Sequence, residues 1–195
     1  MRIEICGVIA AGKSSLAKTL EQLGYSSIYE DFSAIAYLND FYSNPSLYSF
    51  ETEIAFLLQH MYQVKKKSAL STNLVCDYSF EQDFAYAKNN LCDSEFTVFE
   101  LLFQEIKRKL NNPALIILLE CDSNVLLERI KSRGRENEKG ISLEYLNNMS
   151  SMIENHLKGI STPILKFNTN HFDFRNIDTV RKTIVPLISE LDLKI

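Results

Sequence analysis

Gly7-Val8-Ile9-Ala10-Ala11-Gly12-Lys13-Ser14 is the stretch on which the fold turns. It matches Gly-x-x-x-x-Gly-Lys-Ser/Thr in full, and a chance match in a chain of this length is roughly 1 % likely at average usage. Ile3 to Ile9 before it reads as a short apolar strand. Ser14 to Leu23 after it reads as a helix that Gly24 ends. A turn between strand and helix can present backbone N–H groups to an anion while the helix directs its positive end at the same point. Glycine permits the close approach, and the small Ala10 and Ala11 keep the loop open. Lys13 supplies a point charge, and the hydroxyl of Ser14 can ligate Mg²⁺. Gly7, Val8, Ile9, Ala10, Ala11, Gly12, Lys13, Ser14 and Ser15 are therefore expected to hold the phosphates of a nucleoside triphosphate.

The rest of the chain alternates strand and helix patterns. Strands are expected at Ser26 to Tyr29, Leu74 to Cys76, Ala114 to Leu119 and Ile164 to Phe167. Helices are expected from Pro45 to about Leu70, then over Phe80 to Leu91, Glu95 to Leu110, Asn124 to Ser132, Ser142 to Leu157 and Asn176 to Leu191. Six apolar residues in a row at Ala114 to Leu119 indicate a strand buried on both faces, as in a parallel sheet. The expected class is α/β, a phosphate-loop NTPase-type parallel sheet flanked by helices, with a lid segment at about 133–141. The chain of 195 residues is expected to form one domain, 1–195.

Composition narrows the function. Twenty-one Lys and Arg against 25 Asp and Glu leave a net charge of −4, without the basic footprint of a nucleic-acid binder. No apolar run reaches the ~20 residues of a membrane span. Cys6, Cys76, Cys92 and Cys121 show no zinc spacing and read as reduced thiols. A cytoplasmic protein acting on small molecules, with no nucleic-acid or membrane partner, is expected. The Asn-Lys-x-Asp signature of guanine-specific switch proteins is absent, and the size suits a small phosphoryl-transfer kinase.

In such sheets the residues just beyond the strand ends meet the ligand. Glu30 follows the second strand and Asp77 the third. A kinase acting on a hydroxyl needs a carboxylate to accept the proton and another to help hold the metal. Glu30 is the favoured base, with Asp77 as alternative or auxiliary, and Ser14 with Asp77 as the metal pair. Asp77 could instead cap the helix that follows, and Glu30 could be a solvated loop acid. Arg129 and Arg133 lie one helical turn apart, Gly134 breaks the helix, and Arg135 follows in a mobile loop. Guanidinium groups so placed can close over phosphates.

On these residues the chain resembles the deoxyribonucleoside kinase family from Gly7 to about Leu157. Tyr29-Glu30-Asp31 falls where the family has its glutamate base for the 5′-hydroxyl. Asp40-Phe41-Tyr42-Ser43-Asn44-Pro45 is similar to a family stretch whose tyrosine, here Tyr42, binds the sugar 3′-hydroxyl. Arg129-Ile-x-x-Arg133-Gly-Arg135-x-x-Glu138, with Leu143-Glu144-Tyr145-Leu146 after it, resembles the family lid. There the arginines grip phosphates and the glutamate, here Glu138, reaches the 3′-hydroxyl. Tyr86 sits close to the family's base-stacking aromatic, or is a core residue. The chain departs from the pattern at three positions. Tyr78 stands where most members have arginine, Glu53 where many have a base-reading glutamine, and His60 where they have arginine. Glu53 and His60 share a helix face and, with Asp83 opposite, could form a polar base pocket or a satisfied stripe.

The resemblance implies ATP-dependent phosphorylation of the 5′-hydroxyl of a deoxyribonucleoside, with ATP and Mg²⁺ as cofactors. Lys13, Arg129, Glu30 and Asp77 would carry the catalysis, and Arg133 and Arg135 would bind ATP. Tyr42, Glu53, His60, Tyr78, Asp83, Tyr86 and Glu138 would bind the nucleoside. An ionised Glu53 would suit the adjacent N1–H and N2–H donors of guanine, which puts deoxyguanosine ahead of deoxyadenosine. A thymidylate kinase-like monophosphate kinase and a non-catalytic nucleotide-binding subunit are the alternatives. The resemblance also implies a homodimer packed through two helices of each subunit. The stripes Phe50/Ile54/Leu57/Met61 and Phe96/Phe99/Phe103/Ile106 are the expected apolar surface for it. His156 and His171 are expected at the surface.

Overall fold

Five parallel strands form one sheet in the order β2-β3-β1-β4-β5. The computed structural model describes residues 1–192, so 193–195 of the expected domain lie outside the described residues. The strands are β1 (Arg2–Cys6), β2 (Ser26–Ile28), β3 (Leu74–Cys76), β4 (Leu115–Glu120) and β5 (Ile164–Asn168). β1 is central, with Ile3 opposite Val75 on one side and Leu115 on the other. Ile3, Ile5, Ile116 and Ile117 are fully buried, which accounts for the unbroken apolar runs of β1 and β4.

The helices are α1 (Lys13–Gln22), α2 (Leu38–Ser43), α3 (Pro45–Ser68), α4 (Phe80–Asn90), α5 (Asp93–Leu110), α6 (Ser123–Arg133), α7 (Leu143–Leu157), α8 (Ile177–Thr183) and α9 (Val185–Asp192). They supply two cores. One joins β1 and β4 to Leu16, Leu20, Leu126, Ile130, Leu146, Met149, Ile153 and Val180. The other joins Ile28, Leu74 and Cys76 to Leu57, Phe84, Phe99, Phe103 and Ile106. This second core corrects the reading of the apolar stripes. Leu57, Phe99, Phe103 and Ile106 face inward, because α3, α4 and α5 pack on one another. The large apolar side chains left exposed on α3 and α5 are Leu47, Leu58, Tyr62, Val98 and Leu101.

Several boundaries differ from the sequence pattern for local reasons. β1 ends at Cys6 instead of Ile9, since Gly7 turns the chain into the loop. α3 starts at Pro45, whose missing N–H is harmless in a first helical turn. The expected final helix is two, α8 and α9, separated at Ile184. Pro186 has no N–H with which to continue the ladder. The six-residue α2 went unread because too few turns expose a period. His156 is also corrected: its Nε2 lies 2.6 Å from a carboxylate oxygen of Glu81, and its ring stacks on Phe84. The partner sits on α4, far away in sequence.

Candidate functional site

All the strands end at the same side of the sheet, and there a cleft of about 1420 Å³ opens. That exceeds the ~1,000 Å³ of large single-ligand pockets, so two ligands fit side by side. The loop between β1 and α1 forms one end. Gly7 has φ +153°, and a Cβ there would stand 2.8 Å from the carbonyl oxygen of Leu119. No other residue allows β1 and β4 to approach so closely at the turn. Gly12, at φ +105°, caps α1 without a side chain and leaves the helix end open to an anion. The Gly7 N–H donates to Oε1 of Gln82 at 3.1 Å. Lys13 folds back over the loop, its Nζ donating to the carbonyls of Gly7 at 2.6 Å and Val8 at 3.3 Å. Burial pulls the ammonium below its usual range, and the charges of Glu30 and Asp77 oppose that pull.

Glu30 and Asp77 meet as their strand-end positions require. Asp77 Oδ1 accepts from the backbone N–H of Glu30 at 2.7 Å. Asp77 does not cap α4: Ser79 does, accepting from the N–H of Glu81. Burial raises the Asp77 carboxyl, while hydrogen bonds from the Ser14 hydroxyl and the Glu30 N–H hold it down. Among the described residues no group of three or more His, Cys, Asp or Glu is gathered to hold a metal. A cation here would take Ser14 and Asp77 from the protein and the rest of its shell from phosphate and water. That oxygen donor set fits Mg²⁺, which is commonly bound by one or two carboxylates and substrate phosphates.

The arginines divide. Arg129 is anchored: Nη1 donates to Thr169 Oγ1 at 3.1 Å and to the Ala10 carbonyl at 3.3 Å, and Nη2 to the Thr169 carbonyl at 2.7 Å. It ties the loop to the segment after β5. Arg133 and Arg135 both reach the buried carboxylate of Glu138, at 2.6 Å and 3.3 Å, and so hold the lid turn on itself. Arg135 also lies over the Phe32 ring. Tyr42 is in the field of Glu138, Glu30, Arg133 and Arg135, and burial pushes its hydroxyl up. All four of these lid and α2 residues line the cleft.

Away from the loop the cleft gathers two buried carboxyls. Glu53 and Asp83 are lined up there with Tyr86, Asn90 and Tyr145. Glu53 is buried, and its Oε1 accepts from Nδ2 of Asn90 at 2.7 Å. Burial, reinforced by the charges of Asp83 and Glu30, pushes its carboxyl up to about 8, against the bond from Asn90. It therefore carries a proton at neutral pH, and the premise of an ionised Glu53 is not met. The hydroxyl of Tyr86 and Oγ1 of Thr52 are buried without a partner while lining the cleft. Both are placed to bond a molecule in the cleft, which argues against a purely core role for Tyr86.

Two expected nucleoside contacts are elsewhere. Tyr78 and His60 are both fully buried and do not line the cleft. They stack on each other with ring centroids 3.6 Å apart. Nδ1 of His60 lies 2.8 Å from Asp83 Oδ2, so that bond takes the place of a bond to a base. Gln82, Asn90 and Tyr145 went unread in the sequence. Ser79-x-x-Gln82 looks like a capping box, which would send Gln82 back to its own helix; instead it reaches Gly7. Asn90 sits at a helix end, where asparagine is ordinary. Tyr145 lies in the helical pattern after the lid, where a tyrosine carries no separate signal. His171 is exposed as expected.

A family model described as deoxynucleoside kinase matches residues 3–191. The deoxyadenosine kinase of Dictyostelium discoideum is 33 % identical over 178 residues, covering 87 % of this chain and 73 % of that protein. The deoxyadenosine/deoxycytidine kinase of Bacillus subtilis is 29 % identical over 199 residues, covering 97 % and 92 %. A solved structure of the deoxyadenosine kinase of M. mycoides, with the products dCMP and dCDP bound, superposes with a TM-score of 0.82. It is 23 % identical and covers 97 % of this chain and all of its own, a likeness of fold.

Proposed function

This chain belongs to the deoxynucleoside kinase family, and from that premise we propose that it transfers the γ-phosphoryl group of ATP to the 5′-hydroxyl of a purine deoxyribonucleoside, deoxyadenosine first. It is a phosphotransferase whose cleft has two chemically distinct ends. The observation that carries the reading is the meeting of Glu30 and Asp77 beside the Lys13 loop, at 2.7 Å from backbone to carboxylate. Phosphoryl transfer asks little covalent chemistry of the protein, so positioning and charge do most of the work.

In this reading the loop amides, Lys13, Arg133 and Arg135 hold the phosphates, and Arg129 keeps the loop in shape. Ser14 and Asp77 would hold Mg²⁺, which would supply charge neutralisation to the phosphates. Glu30 takes the proton of the 5′-hydroxyl as its oxygen attacks phosphorus. Tyr42 and Glu138 meet the sugar, and Tyr86 flanks the base. Residues 133–141 act as the lid of one kinase domain. A cytoplasmic location fits its four free cysteines, which a reducing compartment keeps as thiols.

The base order follows from charge. Neutral Glu53 offers both an O–H donor and a carbonyl acceptor, as a glutamine would. Asp83, bonded to His60 through Oδ2, keeps Oδ1 as an acceptor. An acceptor at this end suits the 6-amino group of adenine and repels the 6-oxygen of guanine. This reverses the order expected for an ionised Glu53. Relatives from Dictyostelium and Bacillus carry deoxyadenosine and deoxyguanosine names alike, which supports a purine and leaves the order to the charge argument. Rates with ATP and Mg²⁺ for the four deoxynucleosides test the reading. Deoxyadenosine should show the highest kcat/KM, and a preference for thymidine would end it.

A further inference from the structure

His60 sits at the middle of a three-residue chain that crosses from the base end of the cleft to its reacting end. Its Nδ1 is 2.8 Å from Asp83 Oδ2, and its Nε2 is 3.6 Å from Glu30 Oε1. The ring is fully buried and lies flat on Tyr78, at an interplanar angle of 7°. Phe56 and Phe80 close its edges. So held, the imidazole cannot turn away from either carboxylate.

Nε2 is buried and has no hydrogen-bond partner. A buried N–H left unpaired is costly, and native structures seldom keep one without a use. The nearest acceptor is Glu30, just beyond bonding distance. A small change of the Glu30 side chain closes the gap. That side chain is partly exposed to the cleft and free to make the change.

The charged groups around His60 agree. Asp83 faces it from α4 and Glu30 from the turn after β2. Tyr78 faces it from the turn after β3, and Glu53 shares its own helix. Lys13 acts across the cleft on Asp83 and Glu30. Burial disfavours a charged ring, but Asp83 and Glu30 outweigh it and push His60 up to about 10. Both ring nitrogens then carry protons: Nδ1 is engaged by Asp83, and Nε2 is left for Glu30.

We propose that His60 is a positioning residue for the phosphoryl transfer: clamped by Asp83 and stacked on Tyr78, it presents its free Nε2–H to Glu30 and fixes the carboxylate that receives the 5′-hydroxyl proton. This rests on the reading of Glu30 as the base. It also links the two ends of the cleft, because Asp83, which lines the base end, orients the ring that orients Glu30.

The test has three arms. Glu30→Gln comes first: full activity in that variant removes the base reading itself, whatever His60 does. With Glu30→Gln impaired, His60→Gln should lower kcat by about 100-fold, the cost of a misplaced catalytic group, with KM for ATP nearly unchanged. His60→Arg, which restores a cation able to donate to both carboxylates, should recover most of that loss. A His60→Gln enzyme with unchanged kcat, or a loss confined to KM for ATP, overturns the proposal. The third arm needs no variant at His60. The chain has three histidines, so ring-nitrogen NMR can follow each one. His60 should be a doubly protonated imidazolium at pH 7, and Glu30→Gln should perturb its Nε2 resonance. A neutral ring, or an Nε2 signal indifferent to Glu30→Gln, overturns the proposal even if His60→Gln fails to fold.

Discussion

The backbone N–H of Glu30 donates to Oδ1 of Asp77 across 2.7 Å, joining the residues that leave β2 and β3. One carboxylate thereby orients the chain that carries the other. Asp77 is further engaged by the Ser14 hydroxyl, while the Glu30 carboxyl faces the cleft and His60. The two acids, equivalent on paper, are given different surroundings.

That difference sets the first prediction. Glu30→Gln should lower kcat by about 100-fold or more with little change in ATP binding, the range of a lost general base. Asp77→Asn should weaken the dependence on Mg²⁺ as well as the rate. Steady-state rates against Mg²⁺ concentration separate the two. Should Asp77→Asn abolish turnover while Glu30→Gln leaves it intact, the roles are exchanged.

Lys13→Ala removes the ammonium bonded to the Gly7 and Val8 carbonyls. We expect at least a ~100-fold fall in phosphoryl transfer, about 2.7 kcal/mol of transition-state stabilisation. Circular dichroism should remain that of the wild type. A folded Lys13→Ala protein with full activity would contradict the kinase mechanism.

Glu53 makes a pH prediction with a definite sign. Its folded value of about 8 lies above the usual 4.5, so the folded state binds the proton more tightly than the unfolded one. Stability from this group is full below about pH 4.5 and drains away as pH rises to 8. Glu53→Gln, neutral throughout, should raise Tm relative to wild type at pH 8 and leave it unchanged at pH 4. For the same reason kcat/KM for deoxyadenosine should decline through pH 8 in the wild type more than in Glu53→Gln. Equal pH profiles would remove Glu53 as the base reader.

Leu58 and Tyr62 on α3, and Val98 and Leu101 on α5, leave apolar surface uncovered on adjacent helices. We expect a homodimer through that face. Leu58→Asp combined with Leu101→Asp should yield a species of 22.4 kDa by sedimentation. If the wild type already sediments at that mass at micromolar concentration, the dimer is wrong.

Much of this protein was legible in its residues alone. The Gly7–Ser14 loop, the alternation of strand and helix, and the unbroken apolar run of β4 are local patterns. Local patterns follow from backbone sterics and from side-chain period, which neighbouring residues decide. The placing of Glu30 and Asp77 at one edge also followed, because parallel strands all end on the same side. What the chain could not declare were contacts between residues distant in sequence. Glu81 with His156, Gln82 with Gly7 and Asn90 with Glu53 each join separate elements, and each residue alone looks ordinary. The protonation of Glu53 and the direction of His60 belong here too. A carboxyl's charge depends on how much water the fold removes from it and on which charges the fold brings near. Only the packing of α3 against α4 and the turns after β2 and β3 decided that Glu53 is neutral, that His60 is clamped, and that its free nitrogen points at Glu30.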